Sequence, residues 1–83
     1  MPVAQVLRAN QRLAAGRTED ALDDYLRTIL FFENAGAVRA EALSKAAAIL
    51  DKLNDSHGNE LRQKLIQQYP DSDLAKKAVG KVS

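Results

Sequence analysis

The sequence predicts an all-α domain of antiparallel helical hairpins, about five helices in all, and three observations predict it. Alanine, leucine, lysine, arginine, glutamate and glutamine dominate the 83 residues, a strong helix-forming mixture broken by only four glycines and two prolines. Tandem β-branched runs are absent, and no stretch alternates apolar with polar residues over a strand's length. A faint echo also recurs at a spacing of about 37 residues: Ala9 is answered by Ala46, Leu13 by Leu50, Ala21 by Gly58, Ile29 by Ile66 and Phe32 by Tyr69. Small residues recur where two helices could touch and large apolar ones where they could interlock. Stacked two-helix units produce that pattern.

The first hairpin is expected over about residues 2–33. Its first helix runs from about Pro2 to Ala15, with proline tolerated in a first turn whose N–H has no helical partner. Val3, Val6, Leu7, Leu13 and Ala14 make its apolar stripe, Ala9 is a thin point, and Gly16 closes it by accepting a left-handed conformation. Thr18 is placed to cap the second helix, with Glu19 and Asp20 against the positive end of its dipole. Leu22, Tyr25, Leu26, Ile29 and Phe32 recur there at helical spacing. Leu30 and Phe31 fall off that stripe, so one neighbour cannot cover this helix's end. Asn34-Ala35-Gly36 supplies the break.

The second hairpin is expected over about residues 37–69. Its first helix, about Ala37 to Leu53, carries Val38, Ala42, Ala46, Ile49, Leu50 and Leu53 on one face, with Ala40, Leu43 and Ala47 beside it. Arg39, Glu41 and Lys45 read as a solvated face. After a turn over Asn54 to Gly58, with Asp55 or Ser56 as cap, a fourth helix from about His57 to Tyr69 buries Leu61, Leu65, Ile66 and Tyr69. Pro70 stops it, because the residue before a proline resists helical geometry. A terminal capping helix over about 72–81, opened by Asp71 or Ser72, turns Leu74, Ala75, Ala78 and Val79 inward and is expected to fray near Gly80.

These residues resemble the tetratricopeptide repeat family. Gly16-Arg17-Thr18-Glu19-Asp20-Ala21-Leu22 followed by Tyr25 is similar to that family's turn and second helix. Ala40-Glu41-Ala42-Leu43 through Ala46, then Leu65-Ile66 and Tyr69-Pro70-Asp71-Ser72 with Ala75 and Ala78, looks like a bacterial subgroup that includes outer-membrane assembly lipoproteins and the accessory protein of the Tol–Pal system. The resemblance spans nearly the whole chain and implies a right-handed superhelix that binds other proteins. The second unit departs from the pattern: Gly58 stands where alanine is usual, Arg62 where Tyr25 stands in the first unit, and Leu53 in the turn glycine's place. The last helix reads as the start of another repeat or a cap, so the chain reads as a piece of a longer protein.

Composition excludes several classes of activity. Twelve basic residues nearly balance eleven acidic ones for a net charge of +1, which argues against a nucleic-acid binder resting on a clustered cationic surface. No cysteine is present to bridge or to ligate a metal. No apolar run is long enough to cross a bilayer, so no membrane insertion is expected, and no targeting signal opens the chain. His57 is the only histidine and reads as a solvent-exposed turn residue, since a triad or metal site needs several converging groups. Glu19, Asp20, Asp23 and Asp24 read as a solvated acidic face, Lys76, Lys77 and Lys81 as a complement to a helix C-terminus, and Tyr25 and Tyr69 as packing residues with hydroxyls near solvent. No cofactor and no enzymatic activity are expected.

By the repeat alignment the inner side of the stack carries Val3, Val6, Asn10, Leu13 and Ala14, then Ala40, Leu43, Ala47, Leu50 and Asp51. Val3, Val6, Asn10, Leu13, Leu43, Ala47 and Leu50 are the candidate partner-binding surface. A broad apolar surface rarely stays wet on a monomer. Either neighbouring repeats, the fifth helix or a second copy cover it, or it is a groove for an amphipathic partner helix. The expected function is protein–protein interaction or assembly scaffolding, with a protein or peptide partner and self-association through apolar helix faces. The alternative is a helical regulatory or dimerisation segment of a larger enzyme or transcription regulator.

Overall fold

The structure, a computed structural model, describes residues 2–32 and 36–82, with side chains from 4 to 32 and from 36 to 80. Five helices follow one another: α1 (Pro2–Ala14), α2 (Thr18–Phe31), α3 (Ala37–Lys52), α4 (His57–Gln68) and α5 (Asp73–Val82). No strand occurs among the described residues. The all-helical expectation is met. The closest pairings are α1 with α2 and α3 with α4; α3 also lies across α2 and touches α1, and α5 lies across α4 and touches α3. The fifth helix therefore relates to the second hairpin as α3 relates to the first. Only α3 touches all four other helices, whereas α2 and α4 do not meet.

Two turns use the same device. At the end of α1, Gly16 sits at φ +82°, and the amides of Arg17 and Gly16 donate to the carbonyls of Arg12 (2.8 Å) and Leu13 (3.1 Å). This pair of bonds satisfies carbonyls that the last helical turn leaves open. At the end of α3, Asn54 adopts φ +57°, and Asp55 and Asn54 donate to Leu50 (2.8 Å) and Asp51 (3.1 Å). Asparagine thus does in the second unit what glycine does in the first, one residue later than the spacing of the echo predicts.

The caps are mixed. Ser72 Oγ accepts the Ala75 amide at 3.0 Å, as expected for the fifth helix. Asp55 Oδ1 accepts the His57 amide at 2.9 Å ahead of α4. Thr18 does not cap α2: it is already the first helical residue, and the preceding Arg17 instead ties its side chain to Asp20 at 2.9 Å. Helix α4 ends at Gln68, short of Tyr69-Pro70, and α5 continues through Gly80 to Val82. Of the expected break between hairpins, Asn34 and Ala35 lie outside the described residues, and Gly36 has φ +62°.

Among the described residues, half of the buried apolar ones are alanines, with Ala9, Ala21, Ala42 and Ala46 at 0% exposure. Small side chains let helices approach closely, so each contact carries little apolar area. The core then depends on a few large anchors, Tyr25, Leu43, Ile49 and Leu65. In α1 the face that packs is Val6, Ala9 and Leu13, while Leu7 and Ala14 face solvent.

Arg39 is buried instead of solvated. It donates from Nε to the Ile29 carbonyl at 3.2 Å and from its guanidinium to Gln68, joining the ends of α2 and α4 through α3.

Gly58 is a second departure with a packing cause. A Cβ there would lie 2.7 Å from Asp51 Oδ1, 2.9 Å from the Ala47 carbonyl oxygen and 3.3 Å from Leu50 Cβ. The start of α4 presses on the backbone of α3 more tightly than alanine allows. Gly58→Ala is therefore expected to destabilise the domain by about 1–3 kcal/mol, outweighing the gain in helix propensity. A thermal melt should show a drop of at least about 4 °C; an unchanged or higher midpoint would mean that the two helices do not touch here.

Candidate functional site

Most of the predicted inner surface is closed over. Val6, Leu43, Ala47 and Leu50 are buried, at 4%, 0%, 1% and 7% exposure, and Ala40 is buried with them. Leu13 packs partly buried against the same core, and the side chain of Val3 lies outside the described residues. These positions form the seam on which the helices close. The covering that a wet apolar face demands is supplied within the chain, because α3 is enclosed by α1, α2, α4 and α5. Ala14 and Asp51 do remain exposed, and Asp51 pairs with Arg62.

Asn10 is engaged in the same seam. Its side-chain oxygen accepts the Tyr25 hydroxyl, and its amide nitrogen donates to Glu41 Oε2 at 3.4 Å, linking α1, α2 and α3. Tyr25 is completely buried, contrary to the expectation of a hydroxyl near solvent. Burial first, then the charges of Glu41 and Asp24, raises its pKa above 10.0 and keeps it a neutral donor.

Asp24 departs furthest from its sequence reading. It is 1% exposed and not part of a solvated acidic face. Arg8 Nη2 lies 3.0 Å from Oδ1, and Arg12 Nη1 lies 2.8 Å from Oδ2. Both arginines come from α1 and keep part of their side chains in water. Thr28 Oγ1 donates to the Asp24 carbonyl at 3.0 Å, so its hydroxyl is also satisfied. Asp20 and Asp23 do stay exposed, each paired with an arginine of its own neighbourhood.

Apolar ground lies open beside this seam, and Leu50 of the predicted surface borders it. Because α2 and α4 do not meet, a groove of about 440 Å³ runs between them. Leu22, Leu26, Leu50 and Leu61 line it, and Asp55, His57, Glu60 and Lys64 stand beside them. Leu22 and Leu26 are only half-buried, and Leu30, one turn further along α2, is 68% exposed. The misfit of Leu30 to the α2 stripe is the sequence signal that foreshadows this side.

His57 is exposed, as its sequence context predicts, and its Nδ1 lies 2.6 Å from Asp55 Oδ1. That hydrogen bond, and then the charges of Asp55 and Glu60, raises the His57 pKa above 6.5. The Asp55 pKa falls below 3.8, chiefly through the His57 amide. The contact is thus complete between the two values. It weakens as pH rises through the raised histidine pKa, or as pH falls through the depressed carboxyl pKa.

A smaller hollow of about 130 Å³ lies between α3, α4 and α5, where Arg62 pairs with Asp51 and Lys77 stands nearby. Among the described residues, no three His, Cys, Asp or Glu side chains gather to hold a metal ion, and no helix is long and apolar enough to cross a membrane. Comparison with known proteins gives no matching family model, no matching curated protein and no matching solved structure.

Proposed function

We propose that this chain is a non-catalytic interaction module of the helical-repeat kind, and that its docking surface is the α2–α4 groove. One observation carries the reading: an open groove floored by the core residues Leu50 and Leu61 and walled by the half-buried Leu22 and Leu26 has charged side chains along its margin. An apolar floor with a charged margin suits the apolar face of a partner helix, which seats side chains at i, i+3 and i+4 spacing. The resemblance to tetratricopeptide repeats supports the same class, as does the way α5 repeats the packing of α3. A stack built this way presents its second helices, α2 and α4, side by side.

Photo-cross-linking residues placed singly at Glu60, at Lys64 and, as a control on α3, at Lys45 test the assignment in cells producing the chain. Glu60 and Lys64 stand at the groove, whereas Lys45 is an exposed residue that does not line it. Discrete protein adducts are expected from the first two positions and not from the third. Adducts from none, or equally from all three, would remove the groove as the docking surface.

A further inference from the structure

We propose that the face bearing the groove pairs with the same face of a second copy of this chain, with α2 packed antiparallel against α2 of the partner across a two-fold axis. The inference rests on the groove being a docking surface and adds the identity of what docks.

The apolar part is self-complementary. Leu22, Leu26 and Leu30 are spaced by four and form one ridge along α2. The first two line the groove, and the third stands 68% exposed. With Leu26 near the two-fold axis, Leu30 of each copy comes over Leu22 of the other and covers the exposed end of the ridge.

The charged part is self-complementary in the same orientation. On α2, Asp23 precedes Arg27 by four residues, and the two pair within the helix at 3.1 Å. Glu60 and Lys64 on α4 repeat the order, acid before base. A row reading acid-then-base meets its own copy antiparallel as acid against base, and parallel as like against like. An isologous two-fold contact sets each row against itself, Asp23 alongside Arg27 of the second copy and Glu60 alongside Lys64. A net charge of +1 adds little long-range repulsion between copies. A face only two helices wide lies at the small end of specific interfaces, which sets the expected dissociation constant at roughly 10–100 μM.

Sedimentation equilibrium of the purified chain over about 5–500 μM is the test. Wild type is expected to fit a monomer–dimer equilibrium. Leu30→Glu should weaken it at least about tenfold while the melting temperature stays within a few degrees, because that side chain is already exposed in the monomer. Asp23→Arg, which sets arginine against Arg27, should also weaken dimerisation. The double variant Asp23→Arg/Arg27→Asp should restore it to within about threefold, since antiparallel complementarity returns with the signs exchanged. A wild type that is monomeric throughout, a Leu30→Glu dimer as tight as wild type, or a double swap no better than the single one would each overturn the proposal. If the rim cross-linkers capture a different protein while the pure chain stays monomeric, the second copy is excluded and the docking surface stands. If they capture nothing and no dimer forms, both readings fall.

Discussion

Leu43→Glu is expected to leave the chain largely unfolded at room temperature. Leu43 is completely buried on α3, the one helix that touches the other four. Removing a buried leucine side chain costs about 2–5 kcal/mol. A carboxylate in its place adds several more, because it must be stripped of water or kept protonated. A domain of 83 residues commands only about 4–12 kcal/mol in total, so the loss takes most of it. Leu43→Met, which keeps volume and polarity nearly constant, should cost less than about 1.5 kcal/mol. Far-UV circular dichroism against temperature separates these cases. A cooperative Leu43→Glu melt near the wild-type midpoint would mean that α3 is not the hub of the fold. The result also bears on interpretation: a binding defect in this variant reports loss of structure, whereas Leu30→Glu probes a surface.

The helices were legible because their signals are local. Gly16, Pro70 and Ser72 act within a turn of where they stand, and the closure of α1, the end of α4 and the start of α5 follow them within a residue or two. The thin points were legible as well, since Ala9, Ala21 and Ala46 could repeat at a fixed spacing only if something packed against each of them, and all three are fully buried. What sequence pattern hid is burial of charge. Asp24 sits among three other acidic residues and Arg39 stands near Glu41 and Lys45, and nothing local distinguishes a carboxylate in water from one held by two arginines of the preceding helix. The burial of most of the candidate surface was hidden for a related reason. Helical spacing shows that Val6, Leu43, Ala47 and Leu50 share an apolar face, but whether that face meets a partner or its own chain depends on where α4 and α5 fold. In sequence Gly58 is only a departure from the usual alanine, because a close approach by another helix leaves no mark on the glycine itself.

The second large effect lies at Asp24. Its carboxylate is bound by Arg8 and Arg12 at 3.0 and 2.8 Å and is almost wholly removed from water. Asp24→Ala removes all three charge-assisted bonds, two from Arg8 and one from Arg12, and leaves a void, while Arg8 and Arg12, with 53% and 30% of their side chains exposed, can turn to solvent and limit the penalty. A loss of about 2–4 kcal/mol is expected. The second hairpin shows a different solution at the same places. At a spacing of 37, Ile49 answers Arg12 and Leu61 answers Asp24, and both are buried, so one hairpin closes there with an ion pair and the other with apolar side chains. Buried ion pairs are often no better than well-packed apolar replacements, because desolvation consumes much of the attraction. Arg12→Ile/Asp24→Leu should therefore return to within about 1 kcal/mol of wild type. Arg12→Ile alone should be clearly destabilising, since it leaves Asp24 buried with one partner in place of two. A double-mutant cycle by urea denaturation would measure a coupling of at least about 1.5 kcal/mol between the two positions. Strict additivity would mean that Arg12 and Asp24 contribute independently. The ion pair would then have no energetic part in closing α1 against α2.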